Sequence, residues 1–224
     1  MDQLHVLRHH GLNRLGGNSL AETVVAGKIV GEKIVEFLQG CEVEYNTGVI
    51  RSEVTKQQQR IERLISGKNG SEDIYSVRNA MQDELMERVG IFRNGADLQK
   101  AVDNLQEIYG RAKKVGLHSN GAGANPELGL ALKIQGMVKL ALCTAYAALQ
   151  RTESRGCHSR EDYEARNDRD WWNRTLATWK EGADLPTLNY EPATEAVELP
   201  PGERGYGVCK IISCDGEVIG EDKS

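Results

Sequence analysis

The sequence predicts a mainly α protein: a glycine turn feeding a first helix, an antiparallel bundle of three to four helices, and then a small irregular or β extension. Three observations carry this prediction. Apolar residues recur at helical spacing in several separate runs, and glycines punctuate those runs. At Arg151 the character then changes to alternating charge followed by tryptophans and short strand-like segments. The expected divisions are residues 1–46 for the turn and its helix, 47–150 for the bundle, and 151–224 for the charged segment and extension.

The first helix is announced by H-G-L-N-R-L-G-G-N-S-L-A-E, residues 10–22. Ser19 and Glu22 have the spacing of a capping box, which predicts a helix start at about Ser19. Leu20, Val24, Ile29, Val30, Ile34, Phe37 and Leu38 continue it at helical spacing to a stop at Gly40. The leading end of such a helix attracts anions, Gly16 and Gly17 permit close approach to the backbone, and Arg14 could grip a carboxylate beside the same spot. Gly27 and Gly31 offer a smooth face for another backbone. From spacing alone, a plain helix start with a solvated Arg14 is the commoner meaning of such a motif.

A weaker amphipathic pattern runs from Val49 to Ile65 and stops at Gly67. Ser71 is then placed to cap a helix with Ile74, Val77, Met81, Leu85 and Val89 down one side, ended by G-I-F-R-N-G. Asp97 is read as opening the clearest helix, with Leu98, Ala101, Val102, Leu105, Ile108 and Ala112 on one face and Gly116 as its stop. Asn125 and Pro126 start a long apolar helix to about Leu149, because proline at the first helical position gives up no hydrogen bond. Its apolar faces predict the central, most buried member of the bundle. The run from His118 to Gly123 reads as a connection, not a phosphate loop, since no Lys-Ser/Thr pair follows.

Beyond Arg151, interleaved Arg and Glu/Asp are compatible with a solvated loop or a mutually satisfied buried network. His158 stands among Arg155, Arg160, Glu161 and Asp162, a setting that could tune an acid or base. A structural histidine bonded to a neighbouring carboxylate is the commoner outcome. After Pro186, T-L-N-Y, Y-G-V-C-K-I-I-S and E-V-I-G have strand character, and Asp215-Gly216 predicts a hairpin. The last ten residues read as frayed.

Charged residues form 27% of the 224, with a formal net charge of −5, which disfavours a nucleic-acid binder and leaves no polybasic membrane patch. No apolar run reads as the ~20 residues of a membrane span, and Met1 is not followed by a signal-peptide pattern, so a soluble chain is expected. Cys41, Cys143, Cys157, Cys209 and Cys214 lack paired metal-ligand spacing and fit reduced cytoplasmic thiols. Cys209 and Cys214 are near enough to pair across a hairpin, and Cys143 reads as a small core residue. No metal site, Ser/His/Asp or Cys/His arrangement is legible, so a hydrolase is unsupported.

The stretch from His10 to Glu22 resembles the segment near the flavin in the flavoprotein subunit of fumarate reductases and succinate dehydrogenases. V-G-I-F-R-N-G (89–95), A-N-P-E-L (124–128) and R-T-E-S-R-G-C-H-S-R-E-D-Y (151–163) match the same family in the same order. Together they span about residues 9–207, and the chain is similar to the C-terminal portion of that subunit. The first eight residues depart from the pattern: Gln3 falls about where a flavin-contacting glutamate is expected. Glu164 stands where the family has proline. The family's N-terminal G-x-G-x-x-G turn, its flavin-linked histidine and the upstream histidine and arginine of the substrate site have no counterpart here.

The resemblance implies interconversion of fumarate and succinate by hydride transfer through FAD. Arg14 would bind a substrate carboxylate, Asn18, Ser19 and Leu20 would lie at the flavin, and His10 would shape the turn. The FAD would be shared with an N-terminal FAD domain that also supplies the proton donor. No catalytic residue is then expected within this chain, and the chain alone would be inactive. Residues 1–46 would be the end of the flavin-binding domain, and the 151–163 motif a buried network facing it. Implied partners are that FAD domain, an iron-sulfur subunit and, only indirectly, a membrane anchor. The implied location is cytoplasmic, peripheral to the inner membrane. Two other readings stay open: a non-catalytic helical assembly module derived from that subunit, and a related flavoprotein such as L-aspartate oxidase.

Overall fold

The structure, a computed structural model, describes residues 16–40, 46–67, 70–119, 123–193, 209–212 and 218–222. Its contacts divide the chain into two units, residues 1–62 and 63–224.

In the first unit, α1 spans Asn18–Gln39 and α2 begins at Thr47, running to Ile65 across the boundary between the units. The predicted capping box does not cap α1. The helix starts one residue before Ser19, so Gly17 occupies the N-cap, at φ 80°, with no side-chain cap bond. A left-handed turn there is available to glycine without the Cβ clash that other residues meet. At the other end the helix stops at Gly40 as expected, which donates its N–H to Phe37 C=O from φ −108° rather than from a left-handed turn. Asn46 starts α2 by accepting the Val49 N–H on its Oδ1 at 3.2 Å.

The second unit is built on α3 (Ile74–Arg88), α4 (Gly95–Ala112) and α5 (Pro126–Gln150). Their core includes Ile74, Val77 and Met81 from α3, Leu98, Val102, Leu105 and Ile108 from α4, and Ile134, Val138 and Leu142 from α5. Two helix starts fall on residues other than the expected ones. Asp73, not Ser71, caps α3 by accepting the Ser76 N–H at 2.7 Å. Asn94, not Asp97, caps α4: its Oδ1 accepts the Asp97 N–H while its Nδ2 donates to Asp97 Oδ2. Both replacements leave an acidic or amide side chain in the cap, and only three-dimensional geometry selects which one. Asn125 and Pro126 start α5 as predicted.

Helix α5 is not buried all round. Ala131, Ile134, Val138, Ala141, Leu142, Ala145 and Ala148 enter the core, while Leu140 is 69% exposed on the opposite side. Among the described residues it is one helix long and apolar enough to cross a membrane by length and composition. Here its apolar stripe is the wall of a helical core.

Short parallel pairings lock the helix ends. β1 (Glu72–Asp73) lies beside β3 (Val115–Gly116), so the start of α3 adjoins the end of α4. β2 (Phe92–Arg93) lies beside β4 (Ser159–Arg160), which carries the chain beyond α5 back to the start of α4. After the short helix α6 (Asp168–Trp171), β5 (Asn173–Thr178) and β6 (Thr187–Pro192) form an antiparallel hairpin. The sequence had no clear signal for β5. Trp179 meets Tyr109 of α4 edge to face at 5.5 Å and docks this hairpin on the bundle, while Trp171 of α6 meets Tyr190 of β6 at 5.4 Å.

β7 (Cys209–Ile212) and β8 (Val218–Asp222) pair antiparallel, as the predicted hairpin requires; its Asp215-Gly216 turn lies outside the described residues. The strand at 218–222 corrects the expectation of a frayed terminus.

Candidate functional site

Two of the motif stretches, 89–95 and 151–163, are distant in sequence and adjacent in space. The β2–β4 pairing sets Phe92 opposite Ser159 and Arg93 opposite Arg160. Arg93 C=O accepts the Glu161 N–H at 2.8 Å. From the same strand, the Arg93 guanidinium folds back onto the end of α3, donating through Nε to Gly90 C=O at 2.7 Å and to Val89 C=O at 3.2 Å. A cation on the last carbonyls of a helix is favoured by their exposed partial negative charge.

His158 was expected on a carboxylate; instead it faces Arg93, with Arg93 Nη1 2.8 Å from its Nδ1 and Arg151 C=O 3.2 Å from its Nε2. Arginine only donates and a carbonyl only accepts. The ring is therefore neutral, with its proton on Nε2. Burial lowers its pKa below the ordinary 6.5, helped by the charges of Arg93, Arg160 and Arg151. Of the nearby carboxylates, Asp162 is held by Arg160 and Gly95, Glu153 by Arg151 and Arg155, and Glu161 is exposed.

Arg160, 2% exposed, is the hub. Its Nη1 donates to the carbonyls of Ala148, Leu149 and Arg151 at the end of α5, at 3.0, 3.0 and 3.1 Å. Its other nitrogens grip Asp162 in a bidentate pair of 2.7 and 2.8 Å. Asp162 Oδ2 also accepts the Gly95 N–H at 2.9 Å, and the Arg160 pair leads the fall of its pKa to about 2. A Cβ on Gly95 would stand 2.9 Å from that oxygen, so glycine is what lets the carboxylate reach the start of α4.

Glu153 is wholly buried and fully engaged. It accepts from Arg151 at 2.5 Å, from Arg155 at 2.8 and 3.0 Å, and from the Asn167 N–H at 2.9 Å. Arg155 continues to Asp168 at 2.6 Å. The buried charges of the 151–163 motif are thus neutralised inside the second unit, while Glu161 and Tyr163 at its edge are exposed. The third stretch, 124–128, supplies the Asn125 cap and buried Glu127 at the start of α5.

The fourth stretch lies in the first unit. Its Arg14, with His10, is outside the described residues. Of the predicted flavin neighbours, Asn18 and Leu20 are exposed and Ser19 is half-buried. The ladder of α1 begins with Ala21 N–H on Gly17 C=O, so Asn18, Ser19 and Leu20 form the first turn, whose amides point out of the helix end. Among the described residues, an added Cβ on Gly16 or Gly17 would meet nothing within 4 Å. An anionic or carbonyl-rich ring edge fits this end. Behind it Leu20, Val24 and Phe37 are 77%, 72% and 64% exposed, and α1 has no buried residue. Among the described residues no group of three or more His, Cys, Asp or Glu is arranged to hold a metal.

The second unit is a three-helix core with a buried arginine network, and the first unit carries a glycine-led helix with an exposed apolar face; the class of protein is the helical C-terminal portion of a flavoprotein subunit. Residues 78–206 match the family model described as fumarate reductase flavoprotein C-term, and the chain belongs to that family. It is similar to the fumarate reductase flavoprotein subunit of Helicobacter pylori, 42% identical over 200 residues, covering 88% of this chain and 28% of that protein. The corresponding subunit of Haemophilus influenzae is 33% identical over 198 residues, covering 88% and 32%. Among solved structures, an Escherichia coli quinol fumarate reductase superposes with a TM-score of 0.79 at 31% identity, covering 87% of this chain and 33% of that one. The Mycobacterium smegmatis Sdh1 complex in its apo form gives 0.72 at 30% identity, covering 82% and 30%. The chain spans about a third of the length of the curated relatives it matches.

Proposed function

We propose that this chain forms one side of a fumarate/succinate site whose other side belongs to a flavin-binding portion corresponding to the rest of its relatives' length. The observation that carries the reading is the glycine-led start of α1. Gly17 holds the left-handed turn, the first-turn amides face outward, and the apolar side chains behind them stand uncovered. Residues 1–46 are then the end of the flavin-binding domain.

When bound, FAD supplies hydride transfer to or from the substrate. The chain's own residues do the rest of the work on this side. Asn18, Ser19 and Leu20 present backbone donors that favour negative charge on the ring edge held there. Arg14 holds a dicarboxylate by a two-pronged hydrogen bond, fixing its orientation and drawing electron density toward the gripped end. Holding the substrate in line converts a bimolecular encounter into a positioned one. The proton donor comes from the flavin-binding portion, and the chain alone is inactive. Electrons pass to or from an iron-sulfur subunit, placing the assembly at the inner membrane's cytoplasmic face through a separate anchor.

The test is co-expression of the 224-residue chain with the flavin-binding portion of a relative, followed by visible spectroscopy and fumarate turnover. Stoichiometric flavin and turnover in the joined protein, both missing from the chain alone, are expected. Arg14→Lys keeps the charge but loses the two-pronged grip, so turnover should fall with flavin content unchanged. Flavin held tightly by the chain alone, or normal turnover in Arg14→Lys, overturns the reading. A helical assembly module is the second reading, favoured by the self-contained core of the second unit; it predicts partner binding without turnover in the joined protein.

A further inference from the structure

One side-chain cluster has no part in the proposed redox site. His118 follows β3 and stands between the starts of two core helices. Its Nδ1 is 2.6 Å from Glu127 Oε1 on the first turn of α5, and its Nε2 is 3.6 Å from Asp73 Oδ1, the cap of α3. Glu127 Oε2 also accepts the His118 N–H at 2.9 Å and the Ser119 N–H at 3.4 Å. The carboxylate is thus buried and held from three directions, while the imidazole is exposed. A groove of 580 Å³ lies here, lined by Tyr75 on the α3 side, by His118 and Ser119, and by Asn125, Pro126 and Glu127 on the α5 side.

We infer that His118 is a proton-operated tie between the starts of α3 and α5, joined to both Asp73 and Glu127 when its ring carries two protons and released from Asp73 when it loses one. Both ring nitrogens face carboxylate oxygens, which only accept. The doubly protonated ring hydrogen-bonds Glu127 and forms an ion pair with Asp73 at 3.6 Å. A neutral ring satisfies one, and the distances decide which: the short bond to Glu127 keeps its proton on Nδ1, and Nε2 turns a lone pair toward Asp73. Asp73 continues to cap α3 through Oδ2, so release loosens the junction without unwinding the helix.

The charged groups acting on His118 are Glu127 from α5 and Asp73 from the start of α3; Tyr75 adds a neutral hydroxyl to the groove. Glu127, chiefly by its hydrogen bond, raises the ring's pKa above 6.5. The tie is therefore complete below that ordinary value and is lost as pH rises through the raised folded value.

The experiment is a pH titration of the full chain by ¹⁵N NMR of the His118 ring, with amide hydrogen exchange, corrected for intrinsic rate, at Ser71 and Glu72, whose N–H groups donate to Lys114 C=O where β1 meets β3. The expected result is a midpoint above 6.5, an Nδ1–H tautomer at high pH, and a loss of amide protection as the ring deprotonates. Asp73→Asn keeps a good helix cap but removes the distal charge. It should fold normally, shift the midpoint downward and flatten the pH dependence of protection. Glu127→Gln should lower the midpoint further. An Nε2–H tautomer at high pH, an unchanged midpoint in Asp73→Asn, or protection indifferent to the His118 titration overturns the proposal.

Discussion

Arg93 Nη1 donates to His158 Nδ1 across 2.8 Å, joining a loop that ends one core helix to the segment that follows another, 65 residues away. The bond fixes a tautomer, and the tautomer fixes the second bond, from Nε2 to Arg151 C=O. A histidine surrounded in sequence by carboxylates is thereby kept neutral, chiefly by burial, with the charges of three arginines acting in the same direction.

His158 should stay neutral, with Nε2 protonated, well below the ordinary midpoint of 6.5. Its folded pKa is depressed, so the unfolded chain takes up protons first as pH falls. The stabilisation is complete above 6.5 and is lost as pH drops toward the lower folded value. Ring ¹⁵N shifts recorded from neutral to mildly acidic pH check this. Arg93→Ala should release the tautomer and cost about 1–3 kcal/mol in urea unfolding, because it leaves buried acceptors unpaired.

Asp162 should make the protein acid-sensitive in a narrow window. Its pKa falls from 3.8 to about 2, so its stabilising effect is present above 3.8 and disappears as pH falls to about 2. Asp162→Asn should lower stability at neutral pH by about 1 kcal/mol, a modest figure because the carboxylate is partly solvated. The variant and parent should then converge in denaturant midpoints measured near pH 2.

Glu153→Gln should be among the most damaging substitutions in the second unit. The side chain is 0% exposed and balances both Arg151 and Arg155. Removing its charge leaves two guanidinium groups without their shared counter-ion, an effect of about 3–5 kcal/mol for a buried pair. Equilibrium unfolding followed by far-ultraviolet circular dichroism measures it.

Gly116→Ala tests the β1–β3 junction. An added Cβ would stand 2.7 Å from Gly70 Cα and 3.1 Å from its carbonyl oxygen, both backbone atoms that cannot swing aside. A loss of about 1–3 kcal/mol is expected from such overpacking. The same substitution at Gly110, where nothing lies within 4 Å, should stabilise or leave unfolding unchanged and serves as the control.

The helices were legible wherever a local rule set them. Asn125 and Pro126 begin α5 because a cap and a proline act within one turn, and Gly40 ends α1 for an equally local reason. Caps failed where several suitable residues stood in succession: Ser71 and Asp73 can each accept an amide, and the β1 pairing with β3 places Asp73 to do so. The cluster around His158 was legible as a motif and illegible as geometry. Its partner Arg93 carries no local mark of the pairing, and the two-residue strands that align them lie below any periodicity signal.

The amino-acid order by itself determined the helical class, most helix spans and the four motif stretches, because side-chain periodicity, caps and glycine turns act over a few residues. Only the tertiary structure decided which face of α5 stays exposed, which residues fix the tautomer of a neutral His158, and that Glu153 and Arg160 are buried with their charges matched. Burial and charge pairing are made between segments far apart in the chain, and their outcome depends on where the packed core brings those segments together.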